Sequence, residues 1–389
     1  MLHNKSDDIL ITCLPELGKV LASEVKSLNF PVEEENSKFV KTKGDLLSTY
    51  RLNLWLRTAS HVYFKINSFQ AYEAEELYNK ISEIPWEDII DSDGYFSVQS
   101  YVDNRNISDN RYANLKVKDA IADRMTKVTG RRPDSGPERT MSVVYLHWVY
   151  KDVTLYLDTS GSTLSRRGYR QTTVPAPMAE TLAAASILAS EWDKKSPLIN
   201  PMCGSGTIAI EAALYAYNIP PSPARTNYAF MHIKGYDPVE WEKTLAAAKS
   251  QRVEKAFCTI RATDHSRQAI IATKKNAETA GVLDLIDLKK CDFEDTEMPE
   301  NHEEGVVIMN PEYGERIGEV SDLEITYKRI GNFLKQQCQG FRGYIFTGNM
   351  DLAKKIGLKT SRRMIFFNAK IECRLLEYEV YSGSKKMTK

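Results

Sequence analysis

From Ala179 onward, short apolar runs alternate with amphipathic stretches, and this rhythm limits the fold more than any other feature. The reading is helix Ala179–Glu191, strand Pro197–Asn200, helix Thr207–Tyr217, helix Pro238–Val253, strand Cys258–Thr263, helix Ser266–Ala280, strand Leu285–Lys290, strand Gly305–Met309, helix Asp322–Gln337 and strand Gly343–Phe346. Strands that alternate with helices pack as right-handed βαβ units on a parallel sheet. A further helix, Asp351–Ile356, is followed by Arg363–Phe367 and Lys370–Val380, close enough to pair as a hairpin at Asn368-Ala369. The spacing therefore predicts an α/β, Rossmann-like doubly wound sheet of seven strands whose last two form an antiparallel hairpin.

The chain of 389 residues has room for more than this. Residues 8–157 read as mixed α+β. They contain a strand Asp8–Cys13, helices near Leu17–Leu28, 45–58, 73–84 and Asn114–Val128, a strand Tyr95–Tyr101, and a hairpin of Met141–Tyr150 with Val153–Asp158. Residues 159–177 are polar and basic, and 161–178 read as a linker into the domain 179–389. The stretch from Pro220, with Pro220-Pro221-Ser222-Pro223 and then Arg225 and Phe230, interrupts the alternation and reads as a flap.

Charge is zero overall but unevenly spread. Residues 101–170 hold 13 Lys/Arg against 8 Asp/Glu, while residues 1–100 hold 10 against 16. The basic middle segment suits a phosphate backbone. Arg105, Arg111, Lys116, Arg131, Arg132, Arg166, Arg167 and Arg170 are the candidate contacts. No apolar run of about 18 residues is present, so no membrane helix is expected. The N-terminus lacks the apolar core of a signal peptide, and the cytoplasm is the expected compartment. The six cysteines form no C-x-x-C pair and the six histidines are scattered, so neither a metal site nor a disulfide framework is expected. The sequence leaves the oligomeric state open, a monomer included.

Leu198–Thr207 (LINPMCGSGT) has the order strand, glycine turn, helix. Gly204 and Gly206 let the backbone approach a ligand, and the following helix offers free N–H groups to an anionic end. Asn200, Pro201, Met202, Cys203, Gly204, Ser205, Gly206 and Thr207 are thus candidate cofactor contacts. No Gly-Lys-Ser/Thr follows, which excludes a P-loop, and no acid ends a strand about 20 residues on, which disfavours a nicotinamide site. Asp264, followed by His265, ends the second parallel strand, where a carboxylate can accept both ribose hydroxyls of an adenosyl group. Asp292, followed by Phe293, ends the third and can accept from an adenine amine.

Strand Gly305–Met309 runs into Asn310-Pro311-Glu312-Tyr313-Gly314-Glu315-Arg316. Ligands in such sheets bind beyond the carboxyl ends of the strands, so this turn faces the cofactor. An exocyclic base amine is a poor nucleophile because its lone pair is delocalised. The Asn310 side-chain oxygen and the Pro311 carbonyl can accept its two N–H bonds, and Tyr313 can stack on an unpaired base. That arrangement suits methyl transfer from a sulfonium, with Asn310, Pro311 and Tyr313 as the catalytic candidates and S-adenosyl-L-methionine as the cofactor.

At these residues the sequence resembles the THUMP-domain RNA methyltransferases that modify the exocyclic N2 of guanine. Further points of likeness are Leu115–Arg124 with Gly130-Arg131-Arg132-Pro133, Arg167-Gly168-Tyr169-Arg170, Ala176–Ala183, and Asn276-Ala277 with Ala280-Gly281. The resemblance implies a ferredoxin-like subdomain (1–60), a THUMP RNA-binding domain (61–160) and one Rossmann-like methyltransferase domain. Within the family the bacterial large-subunit ribosomal RNA enzymes look nearest, so 23S ribosomal RNA is the expected partner. Transfer RNA, or RNA binding without turnover, is the alternative. The family usually has Asn-Pro-Pro-Tyr, whereas this chain has Glu312 at the second proline. Glutamate loosens the turn and adds a charge. Its carboxylate has two places open to it, the N1–H and N2–H edge of guanine or the surface away from the base, and the surface is the expected one.

Overall fold

The computed structural model describes residues 6–107, 109–175, 177–254, 258–299, 304–314 and 320–380. Ala176 of the linker and Glu315 and Arg316 of the turn lie outside them. The chain divides into two compact units. One holds residues up to Cys13, Leu21–Arg166 and Thr226–Ala247; the other holds Leu14–Val20, Arg167–Arg225 and the chain from Ala248 on.

The first unit is built on one eight-stranded sheet. Its elements are β1 (Asp7–Cys13), α1 (Gly18–Ser27), β2 (Glu34–Glu35), β3 (Phe39–Gly44), α2 (Leu46–Trp55), β4 (Ala59–Gln70), α3 (Ala74–Ser82), β5 (Tyr95–Asp103), α4 (Asn110–Thr129), β6 (Asp134–Ser135), β7 (Ser142–Val149) and β8 (Asp152–Asp158). The strand order is β2-β3-β1-β4-β8-β7-β5-β6. Local chemistry sets the helix ends. The Asp45 carboxylate accepts from the Ser48 N–H in a capping box at α2, and Asp109 accepts from the Arg111 N–H at α4.

Strand β4 falls in a stretch where the sequence pattern marks no element. Its 12 residues pair with β1 through Ala59–Phe64 and with β8 through Tyr63–Gln70. Residues 1–60 and 61–160, expected to be separate domains, therefore share one continuous sheet, and the expected division at 60/61 lies within β4.

The second unit carries α5 (Glu180–Ala189), β9 (Leu198–Pro201), α6 (Thr207–Ala216), β10 (Ile260–Asp264), α8 (Arg267–Ala280), β11 (Asp287–Lys290), β12 (Gly305–Met309), α9 (Val320–Gln337), β13 (Phe341–Thr347), α10 (Met350–Lys355), β14 (Arg362–Asn368) and β15 (Ile371–Glu379); α7 (Pro238–Ser250), which precedes β10 in the chain, lies mostly in the first unit. The order β11-β10-β9-β12-β13-β15-β14 is parallel as far as β13, and β15 then pairs antiparallel with both β13 and β14. Every residue of β9 and β12 is buried, as the middle strands of a sheet covered on both faces must be. The chain winds outward from β9 to β11 and then restarts on the other side at β12. The gap between the ends of β9 and β12 is therefore the switch point at which doubly wound folds bind ligands. The α/β fold and its terminal antiparallel hairpin match the sequence expectation.

Phe230 is a correction. It is fully buried and stacks on Tyr50 with ring centroids 4.4 Å apart, while Trp241 meets it edge-on at 5.1 Å. These rings belong to the core of the first unit, so Phe230 is no flap over a base. Proline content marked the excursion as irregular but said nothing of where its aromatics pack.

Candidate functional site

A cavity of about 950 Å³ opens at this switch point, lined from the ends of β9, β10 and β12 and the first turns of the helices after them. Met202, Cys203, Gly204, Ser205 and Thr207 contribute from the glycine loop, Asp264 and His265 from the end of β10, and Asn310, Pro311, Glu312 and Tyr313 from the turn after β12.

The loop has the strained form that its glycines permit. Met202, Gly204 and Gly206 all have positive φ, at 55°, 58° and 81°. Gly206 starts α6 with no side-chain cap, which leaves that helix's first N–H groups facing the loop. A Cβ on Gly206 would lie 2.5 Å from Thr273 Cγ2. Gly206→Ala is accordingly expected to destabilise the second unit by about 2–5 kcal/mol, the sum of left-handed strain and overpacking. Chemical denaturation checks this. The added substitution Thr273→Ala should recover the packing part alone, and an unchanged midpoint for the single variant would refute the account.

Asp264 is nearly buried and faces the cavity. One carboxylate oxygen accepts from the Gly204 N–H and the other from the Ser266 N–H, each at 2.9 Å. Those bonds fix the carboxylate, and each oxygen keeps a lone pair for a hydroxyl. Exposed His265 lines the rim, its Nδ1 3.7 Å from Asp264. Burial pushes the Cys203 thiol up to about 12, so it stays protonated and serves as packing rather than as a nucleophile.

At the other wall, Asn310 Oδ1 is buried and has no hydrogen-bond partner among the described residues. An orphaned acceptor in a cavity wall is costly unless a ligand satisfies it. The Tyr313 hydroxyl accepts from Asn368 Nδ2 at 2.9 Å, which fixes the ring in the wall. Glu312 is exposed, as expected, yet it also lines the cavity.

Several predicted residues lie elsewhere. Asn200 turns away and donates to the Ile308 carbonyl at 2.8 Å, tying β9 to β12, and Pro201 is buried in the strand. Neither lines the cavity. Phe293 is a core residue, edge-on to Phe333 at 5.9 Å. Asp292 caps the turn at Glu294 and pairs with Arg329 at 2.8 Å. Burial opposes its charge, but the Glu294 N–H and Arg329 outweigh that and hold the carboxyl below its ordinary value. It is outside the cavity lining, and the field of His265 on the rim also lowers it.

Two of the cations chosen for RNA are internal. Arg167 is fully buried and pairs with Glu211 at 3.3 Å. Arg170 donates to Glu180 at 2.8 Å, to the Met178 carbonyl at 2.7 Å and to the hydroxyls of Ser205 and Thr207 at 3.3 and 3.2 Å. The segment from Arg167 is thus clamped to the second unit and is no free linker. Asn276, also buried, completes the clamp: its Oδ1 accepts from the Gln171 and Thr172 N–H groups, and its Nδ2 donates to the Thr172 and Ser205 carbonyls. This brings Val174, Pro175, Pro177 and Met178 into the cavity wall, a role the basic composition of 159–177 concealed. Gln268, Leu323, Thr326 and Asn368 line the cavity too, and the sequence did not point to them. Only Asn368 carried a signal, as an asparagine at the hairpin turn.

In the first unit, Arg105, Arg111, Arg131 and Arg132 are exposed, Lys116 is half-buried, and Arg166 at the unit's end is exposed. Arg111 pairs with Asp109 at 2.8 Å, Lys116 with Glu75 at 3.3 Å, Arg131 with Asp93 at 3.6 Å and Arg132 with Asp123 at 2.9 Å. Pairs at exposed positions hold a cation only weakly, which leaves it able to exchange partners. Among the described residues no group of three or more His, Cys, Asp or Glu side chains could hold a metal ion, and no helix is long and apolar enough to cross a membrane.

Comparison with known proteins matches three regions of the chain. Residues 167–377 match the RMKL-like methyltransferase domain, 8–63 the RlmL ferredoxin-like domain and 71–158 the THUMP domain. The ribosomal RNA large subunit methyltransferase K/L of Allochromatium vinosum is 34% identical over 382 residues, covering 96% of this chain and 52% of the relative. The chain thus spans about half the length of such relatives. A Synechocystis sp. protein, named as a proposed RNA methyltransferase, is 33% identical over 94% of both chains. A solved structure, described as a proposed methyltransferase complexed with S-adenosylhomocysteine, superposes with a TM-score of 0.86 at 26% identity, over 98% of this chain and 100% of the other.

Proposed function

The chain belongs to the RMKL-like methyltransferase family, and from that premise we propose that it methylates the exocyclic N2 of a guanine in large-subunit ribosomal RNA, using S-adenosyl-L-methionine. The observation that carries the reading is the buried, unpartnered Asn310 oxygen in the same cavity as Asp264.

The residues fit this cofactor. Asp264 would accept the ribose hydroxyls, and the N–H groups at the start of α6 would face the anionic end of the molecule. When bound, the cofactor supplies a methyl group made electrophilic by its sulfonium. The protein does the positioning. Tyr313 offers a stacking face to a base that has left its helix. Asn310 Oδ1 accepts one N–H of the amine and the Pro311 carbonyl another, which aims the nitrogen and favours the positive charge it gains. Exposed Arg105, Arg111, Arg131, Arg132 and Arg166, with half-buried Lys116, would meet phosphates.

Mass-spectrometric mapping of ribosomal and transfer RNA from cells lacking the gene tests the reading. The expected result is loss of one N2-methylguanosine from large-subunit RNA, restored by the intact gene but not by Asn310→Ala. Loss from transfer RNA alone would move the substrate, and no loss from either would end the enzymatic reading. RNA affinity should fall steeply with salt; a salt-independent affinity would remove the phosphate contacts.

A further inference from the structure

The cavity lining includes two carboxylates, and they differ in what they already hold. Both oxygens of Asp264 accept backbone N–H groups. Glu312 makes no hydrogen bond or ion pair among the described residues, although it sits between two residues that line the cavity with it, buried Pro311 and Tyr313. A carboxylate is an acceptor with no donor of its own. At the mouth of a site for a base, it therefore selects among bases by the edge it can face.

We propose that Glu312 determines base specificity, its carboxylate accepting the N1–H of a flipped guanine together with an N2–H. This rests on the reading of the cavity as a site of RNA-base methylation. Guanine alone presents two donors side by side on its pairing edge, N1–H and N2–H, and two carboxylate oxygens match that pair as charge-assisted bonds. Adenine and cytosine place a lone pair next to their amine, at N1 and N3, and a carboxylate is repelled there. Uracil has a single N–H flanked by two carbonyls. With Asn310 taking the other N2–H, the N2–H beside N1 is shared in a three-centre bond between Glu312 and the Pro311 carbonyl, so the turn would hold the amine from both sides, and an anionic neighbour also favours the charge that the nitrogen gains. Asn310 recognises any amine. Glu312 supplies the discrimination that Asn310 lacks.

The experiment uses the full-length protein and a short RNA carrying the mapped target nucleotide as guanine or as 2-aminopurine, which keeps the 2-amine but has a lone pair at N1. Wild-type protein should prefer guanine in kcat/KM by on the order of 10- to 100-fold, the range of one hydrogen bond to a charged group. Glu312→Ala should bring that ratio near unity, chiefly by slowing the guanine substrate, and Glu312→Gln should fall between. S-adenosylhomocysteine affinity within about threefold of wild type keeps folding out of the comparison. If Glu312→Ala leaves both the guanine rate and the ratio within about twofold while the product is N2-methylguanosine, the inference fails and the parent reading stands. If wild-type digests instead carry the methyl group on another base, the parent reading fails and takes this inference with it; the nucleoside formed tells the two failures apart.

Discussion

Replacing Asn310 with alanine is expected to lower methyl transfer by about 10²–10³-fold while S-adenosylhomocysteine affinity stays within about threefold. The size comes from removing one preorganised acceptor aimed at developing charge, which in comparable sites is worth about 2.7–4 kcal/mol. The selectivity comes from the structure. Among the described residues Asn310 Oδ1 is buried without a partner, so its loss strands no donor there and leaves the loop, with Asp264 and Gly204, intact. A group that acts in the transition state lowers kcat and kcat/KM together, whereas a residue that merely holds cofactor raises its Kd. Single-turnover transfer into RNA and calorimetric titration with S-adenosylhomocysteine separate these outcomes. Asn310→Asp, which keeps an acceptor, should retain more activity than Asn310→Ala. If the alanine variant instead lost cofactor binding with turnover intact at saturation, Asn310 would be a cofactor ligand and the base-amine role would be wrong.

Asn310 was legible in the sequence for a definite physical reason. GVVIM is an unbroken apolar run, and a run that short, bounded by polar residues, reads as a strand buried on both faces; the turn at its carboxyl end must lie at the ligand end of the sheet. Asp264 was legible in the same way. Strand β4 was not, because ASHVYFKINSFQ mixes polar and apolar positions without clean alternation, and a bulge between Lys65 and Asn67 shifts its register. Asp292 and Phe293 follow the end of the third strand, where only half of β11 is even partly buried, and the turn after it pairs Arg329 and packs Phe333. Composition could not separate Arg166 from Arg167, since charge counts are blind to the direction in which a side chain points. Tertiary partners such as Glu211, 44 positions away, decide that.

The adjacent arginines give the sharpest test of this distinction. Arg167→Ala is expected to destabilise the second unit by about 3–5 kcal/mol, because it breaks an ion pair whose two side chains are both fully buried and leaves the Glu211 charge in a medium that cannot solvate it. The Tyr169 hydroxyl, which donates to Glu211 at 3.0 Å, is too weak a partner to replace a guanidinium. For a unit of this size the loss corresponds to a fall in Tm of about 6–20 °C. Arg166, exposed and one residue earlier, should tolerate alanine with a change within about 0.5 kcal/mol. RNA affinity should move the other way: Arg166→Ala lowers it and reduces its salt dependence, while folded Arg167→Ala keeps both. Adding Glu211→Gln to Arg167→Ala should return part of the lost stability, since it removes the stranded charge rather than any contact with solvent. A thermal melt of the three variants beside wild type decides the matter. If Arg167→Ala melts with wild type, the buried pair contributes nothing and the clamp that carries Val174, Pro175, Pro177 and Met178 into the cavity wall must rest on Arg170 and Asn276 alone.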